Sequence, residues 1–198
     1  MKTLKIKVTF TEEVLGTSSN NPEIHSEFIA INAPDGKKRK EELEALPTEE
    51  QIEKAMTVFP RENGVPFIWD YQFKGFFKDT CSALARVKGS KSAGLKAFKK
   101  IIDGVIFPEP RKIMLQLPKG TKIGSCQRPL RGQTAQGERI SLANSETVPI
   151  GTTCELSIVL FEDSLEAILI EWLDYGRFKG MLQWRNSGKG RFTYEVIE

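Results

Sequence analysis

The chain opens on a strict alternation. Leu4, Ile6, Val8 and Phe10 are apolar while Lys5, Lys7 and Thr9 between them are polar, a period of two that predicts a half-buried strand over 3–10. The period returns at Ile113, Leu115 and Leu117, predicting a strand over 111–117, and again over 153–161. Phe192, Tyr194 and Val196 repeat it at the end and predict a strand over 190–197. Twice it lengthens to the helical value. Phe73, Phe76, Phe77, Cys81 and Leu84 form the stripe of a helix over 71–87, with Asp70 placed as its N-cap. Leu165, Ile168, Leu169, Trp172 and Leu173 do the same for a helix over 163–175. A shorter helix is predicted over 93–103, and Asn63-Gly64 between two extended pieces is a hairpin signal.

The longest elements run strand, helix, strand, strand, helix, strand. That order predicts an α+β chain of the ferredoxin-like βαββαβ type, as in RRM domains: one antiparallel sheet, two helices on one face, and long insertions. A single domain over 1–198 is expected. Its insertions are a charged, peripheral one at about 33–56, where Thr48 to Gln51 resembles a capping box, and a long polar hairpin or loop at about 118–148.

Composition adds little until its distribution is read. A hydrophobic fraction of 39% and a charged fraction of 28% suit a folded, soluble chain, and no run approaches the length of a membrane span. The first residues alternate charge into apolar positions, unlike the continuous core of a signal peptide. Cys81, Cys126 and Cys154 are odd in number and far apart, which points to reduced thiols in a cytoplasmic setting and against a disulfide framework or a zinc site. The net charge of +3 hides segregation: residues 41–53 carry six glutamates and no base, whereas Arg86 to Lys100 carries six bases and no acid. Seven bases and one acid lie between Arg111 and Arg139, and Gly176 to Arg191 holds five bases, no acid, four glycines, Phe178 and Trp184. Such segregation predicts a basic face.

Catalytic chemistry finds little footing. Walker A, Rossmann and Gly-x-Ser-x-Gly patterns are absent, and a single histidine, His25, excludes paired-histidine metal sites. His25 is a weak candidate for a general base in metal-independent RNA cleavage. No cofactor and no metal is expected, and catalysis is the lesser reading. The binding reading gathers Lys74, Lys78, Arg86, Arg128, Arg131, Arg139, Arg185, Lys189 and Arg191 into a phosphate-tracking groove in which Trp184, Phe178 or Tyr175 would stack on bases. Trp69 and Trp172 are assigned to the core.

Three stretches carry a family resemblance. Gly64 to Lys78 reads as a short strand, a turn, then Lys-Gly and a basic residue opening the first helix. Ala143 to Thr152 contains Glu-Thr-Val-Pro-Ile-Gly before the third strand, and Gly176 to Phe192 stands where a glycine-rich loop precedes the last one. In these features the sequence resembles the RAMP superfamily, the ferredoxin-like RNA-binding proteins of CRISPR effector complexes, and especially their Cas7-like subunits. The loop Trp184-Arg-Asn-Ser-Gly-Lys-Gly190 is less glycine-dense than the family's, and the insertion at 36–54 has no counterpart in it. The resemblance implies non-catalytic binding of single-stranded nucleic acid, RNA before DNA, with CRISPR-type or other defence-complex proteins as partners and no membrane. Three alternatives stand beside it: a phage or mobile-element decoy that inhibits a host defence complex, a structural subunit that assembles into a homo-oligomer, and a ribonuclease using His25.

Overall fold

The computed structural model describes residues 1–19, 56–134 and 137–197. Nearly all of the expected insertion at 33–56 and the candidate His25 lie outside the described residues. In chain order the strands are β1 (Lys2–Phe10), β2 (Val14–Leu15), β3 (Ser18–Ser19), β4 (Met56–Val58), β5 (Arg61–Glu62), β6 (Val65–Trp69), β7 (Ile106–Glu109), β8 (Lys112–Met114), β9 (Gly124–Thr134), β10 (Gly137–Val148), β11 (Thr153–Leu160) and β12 (Phe192–Val196). The helices are α1 (Asp70–Leu84), α2 (Phe98–Val105) and α3 (Glu166–Tyr175). Two compact units form. One comprises Met1–Val14, Pro60–Lys122 and Val148–Glu198; the other comprises Leu15–Phe59 and Ile123–Thr147.

The first unit is built on a four-stranded sheet in the order β12, β1, β11, β7. Each neighbouring pair is antiparallel, with Ile6 opposite Leu156 and Val196, and Ile158 opposite Pro108. The alternation of β1 is realised as predicted: Leu4, Ile6, Val8 and Phe10 are buried, and Lys5, Lys7 and Thr9 are half-buried. Over that apolar face lie the stripes of α1 (Phe73, Phe76, Phe77, Cys81) and α3 (Leu169, Trp172, Leu173). Their rings lock together. Phe76 meets Phe192 of the edge strand at 5.0 Å, and Phe77 stacks on Trp172 at 5.8 Å. Burial of such rings is the main driving force here, since each removes on the order of 150–250 Å² from water.

One sequence expectation is corrected. Residues 111–117 touch the main sheet only at the Gln116–Thr153 bridge to β11; β8 itself pairs with β6, Phe67 opposite Met114, beside the small β5 strand. The strand that joins β11 is β7, whose sequence Ile-Phe-Pro-Glu hid it. Proline interrupts the ladder and is read as a breaker, yet β7 lies at the edge of the sheet, where a missing N–H is tolerated. A period of two marks extended backbone, not the sheet it joins. The hairpin or loop expected over 118–148 takes the form of a hairpin. A turn does form at Gly120, where Thr121 N–H donates to Pro118, but most of the segment is one long ribbon, with β9 and β10 paired from Thr134–Gly137 to Gly124–Thr147. Its polar residues give no apolar period to reveal it.

Smaller differences are local. The helix expected at 93–103 divides into a 3-10 turn at Lys91–Gly94 and α2. Trp69, not Asp70, caps α1, its N–H donating to Gln72 Oε1 at 2.8 Å. The Asn63-Gly64 hairpin forms as expected, both residues at positive φ.

Phe77→Ala is expected to cost about 3–5 kcal/mol in urea unfolding, because it removes the ring on which Trp172 rests. A loss below about 1 kcal/mol would show that the α1–α3 contact is peripheral.

Candidate nucleic-acid interface

The loop between α3 and β12 spends its glycines on close packing. A side chain on Gly180 would collide with the Lys189 carbonyl, and one on Gly190 (φ +71) with the Met181 carbonyl. Met181 N–H donates to Gly190 O at 3.0 Å and Gly190 N–H to Glu13 O at 2.8 Å. The loop is a folded knot with these amides engaged, rather than an open cradle.

Most of its cations are engaged as well. Lys179 Nζ and Arg185 Nε both reach Asp79 Oδ2 on α1, each at 2.9 Å, and Lys189 Nζ reaches Glu13 at 2.6 Å. Burial opposes charge on Asp79, but the hydrogen bonds and charges of Lys179 and Arg185 outweigh it and hold this carboxyl below the usual range. Arg177 packs over the exposed Phe178 ring at 5.2 Å, and the Nε of Arg191 is buried without a partner. Trp184 is 40% exposed in a left-handed turn (φ 56). Beside this loop a cleft of about 150 Å³, lined by Asp174, Arg177 and Tyr194 among others, is smaller than the roughly 300 Å³ at which ligand pockets begin. Burial, with Asp174 close by, pushes the Tyr194 hydroxyl up to about 12, so it remains a neutral donor to Asp174.

The basic ridge of α1 is engaged differently. Lys78 pairs with Asp103 of α2 at 2.6 Å, while Lys74 donates to the Asp103 carbonyl and lies 4.2 Å over the Phe107 ring. Burial lowers the Lys74 pKa against the pull of Asp103 and Asp70. In the second unit, Arg128 is buried (7% exposed), its Nη1 donating to Ser145 Oγ at 3.1 Å, and Ser145 in turn meets Thr57. Arg131 and Arg139 lie towards the turn of the ribbon, opposite Ile140 and Gly132 in the register.

A different stretch carries unneutralised charge. Arg86, Lys88, Lys91, Lys96, Lys99 and Lys100 are all exposed, and none lies within 4 Å of a carboxylate among the described residues. The carboxylate of Glu171 is taken up by the backbone here. Glu171 of α3 accepts from Lys91 N–H at 2.8 Å and from the N–H and Oγ of Ser92 at 3.1 and 2.7 Å. Ser92 is fully buried and accepts from Trp172 Nε1 at 2.9 Å. A carboxylate thus pins the backbone of the basic segment without neutralising its lysines. Of the residues named from sequence, only Arg86 belongs to this segment; the run of six bases without an acid was the signal for the rest.

No protein-family profile matches this sequence, and no curated protein matches it. Among solved structures, a chain of the type III-B Cmr-β complex bound to cognate target RNA aligns over 99% of this chain with a TM-score of 0.56 at 11% identity. This chain spans 59% of that one's length. A chain of a type IV-B CRISPR complex aligns at TM-score 0.47 and 13% identity, covering 99% of this chain and 90% of its own. Cmr6 from Pyrococcus furiosus aligns at 0.48 and 11%, covering 98% of each. At 11% identity the likeness to the Cmr-β chain is one of fold.

Asp79 gives a pH test. Its lowered pKa contributes stability that is present above the unfolded value of about 3.9 and lost as pH falls through the folded value. Asp79→Asn is therefore expected to unfold at a lower temperature than the native chain at pH 7, the gap narrowing as the pH falls below about 3.9. A gap that persists unchanged in acid would refute the linkage.

Proposed function

We propose that this chain is a Cas7-like subunit that binds single-stranded nucleic acid, RNA before DNA, without cleaving it. In this reading the sheet β12-β1-β11-β7 with α1 and α3 is a ferredoxin-like βαββαβ unit, with β7 as its second strand. The observation that carries the proposal is the exposed segment Arg86 to Lys100, whose cations have no carboxylate within 4 Å among the described residues. Surface lysines usually stand near carboxylates, and a cluster without them raises the local potential and attracts a polyanion. The fold likeness to a chain of an RNA-bound complex supports the same reading.

Charge also ranks the residues named from sequence. Phosphate at Lys179, Arg185 or Lys189 would have to displace Asp79 or Glu13 from pairs of 2.6 to 2.9 Å. Phosphate at Lys96, Lys99 or Lys100 displaces water and counterions alone. The defence-complex partners implied by the family resemblance belong to this proposal, with the nucleic acid as the shared ligand.

The triple variant Lys96→Ala, Lys99→Ala, Lys100→Ala is expected to flatten the log–log salt dependence of oligouridine binding by roughly 0.7 for each cation that touches phosphate, about 2 in all. Its melting temperature should change little, because the three side chains are solvated. An unchanged slope would overturn the assignment of this face. Failure of the native chain to bind any single strand at low salt would overturn the function.

A further inference from the structure

One aromatic cluster is not explained by the core. Trp69, at the end of β6, is half-buried, and Tyr71, in the first turn of α1, is 55% exposed. Their rings are nearly parallel, 14° apart with centroids at 6.2 Å. Phe67 supports Trp69 from below in an edge contact at 4.9 Å. Arg111 lies 5.4 Å over the Trp69 ring, held there because its carbonyl accepts from Asp70 N–H at 3.0 Å. The neighbouring Lys112, opposite Trp69 in the β6–β8 register, is neutralised by Glu62 at 2.5 Å. Arg111 is exposed and has no carboxylate within 4 Å among the described residues.

We infer that the Trp69–Tyr71 pair is a stacking seat for one base of a bound single strand, with Arg111 holding the adjacent phosphate; this rests on the nucleic-acid reading above. The chemistry selects a base over a phosphate at Tyr71. Asp70 sits beside it with a buried, unpartnered Oδ1, and its negative charge would repel a phosphate pressed against the ring. Burial and the same charge raise the Tyr71 pKa, so the phenol stays neutral and its face remains available to a neutral heterocycle. Every base presents a π-face, so such a seat is tolerant of sequence.

Charge complementarity then gives the strand a path. Tyr71, Lys74 and Lys78 lie three and four residues apart on one ridge of α1. That ridge ends at Asp103, and one turn earlier on α2 stand the exposed cations Lys99 and Lys100. A strand stacked at Tyr71 would thus run onto the unneutralised segment instead of into an acidic surface.

Anisotropy titrations with labelled oligouridine and with an abasic oligomer of equal length test the seat. Tyr71→Ala is expected to weaken oligouridine binding about 5- to 100-fold and to leave abasic binding unchanged, while Tyr71→Trp retains affinity for both. Tyr71 is exposed, so the variants should keep the native melting temperature. If Tyr71→Ala binds oligouridine as the native chain does while the lysine triple variant loses affinity, the seat is overturned and the binding function stands. Equal losses on both oligomers overturn it too, since a base-free strand cannot report stacking. No binding by the native chain removes the seat together with the function.

Discussion

Trp172 joins the core of the first unit to its basic surface. Its ring is fully buried against Phe77, in the middle of the packing between α1 and α3. Its indole N–H, which burial would leave costly if unpaired, is met by Ser92 Oγ. Ser92 then donates to Glu171, and Glu171 gathers the amides of Lys91 and Ser92. The same interaction that closes the core therefore fixes the start of the lysine-rich turn leading to α2. Were Trp172 replaced by an apolar ring without a donor, the core volume could survive while this anchor loosened.

Charge in this unit is arranged by long-range pairing. Asp79 and Glu13 neutralise Lys179, Arg185 and Lys189, which stand on average more than 100 residues away in sequence from those acids. Exposed pairs of this kind add at most about 1 kcal/mol each to stability. Their larger effect is on the electrostatic surface, because they remove the glycine loop as the strongest cationic site. Among the described residues, the segment from Arg86 to Lys100 and, at the other end of the α1 ridge, Arg111 stay positive.

Periodicity read the buried elements well. β1, β11, β12, α1 and α3 lie where the sequence puts them because each has a single apolar face, and burying that face fixes both type and register. Elements without such a face leave no period in the sequence. β7 is four residues with a proline, and in the β9–β10 ribbon the few apolar residues are scattered among polar ones, so backbone pairing defines both. The site was less legible for a related reason. Local charge counts ranked Gly176 to Arg191 and Arg86 to Lys100 as equally free of acid, and only the fold brings Asp79 and Glu13 to the first while turning Glu171 inward at the second. Trp69, assigned to the core from the sequence, is half-buried, and the exposed Tyr71 that stacks on it follows from how α1 leaves β6.

The central claim is that a single strand follows the α1–α2 face of the first unit. Photo-crosslinking of 4-thiouridine RNA to the native chain, with the attachment points located by peptide mass spectrometry, tests it directly. The account predicts crosslinks between Trp69 and Lys112, concentrated at Tyr71 and in the segment from Arg86 to Lys100. Crosslinks confined to the loop from Arg177 to Arg191, with none between Trp69 and Lys112, would contradict it.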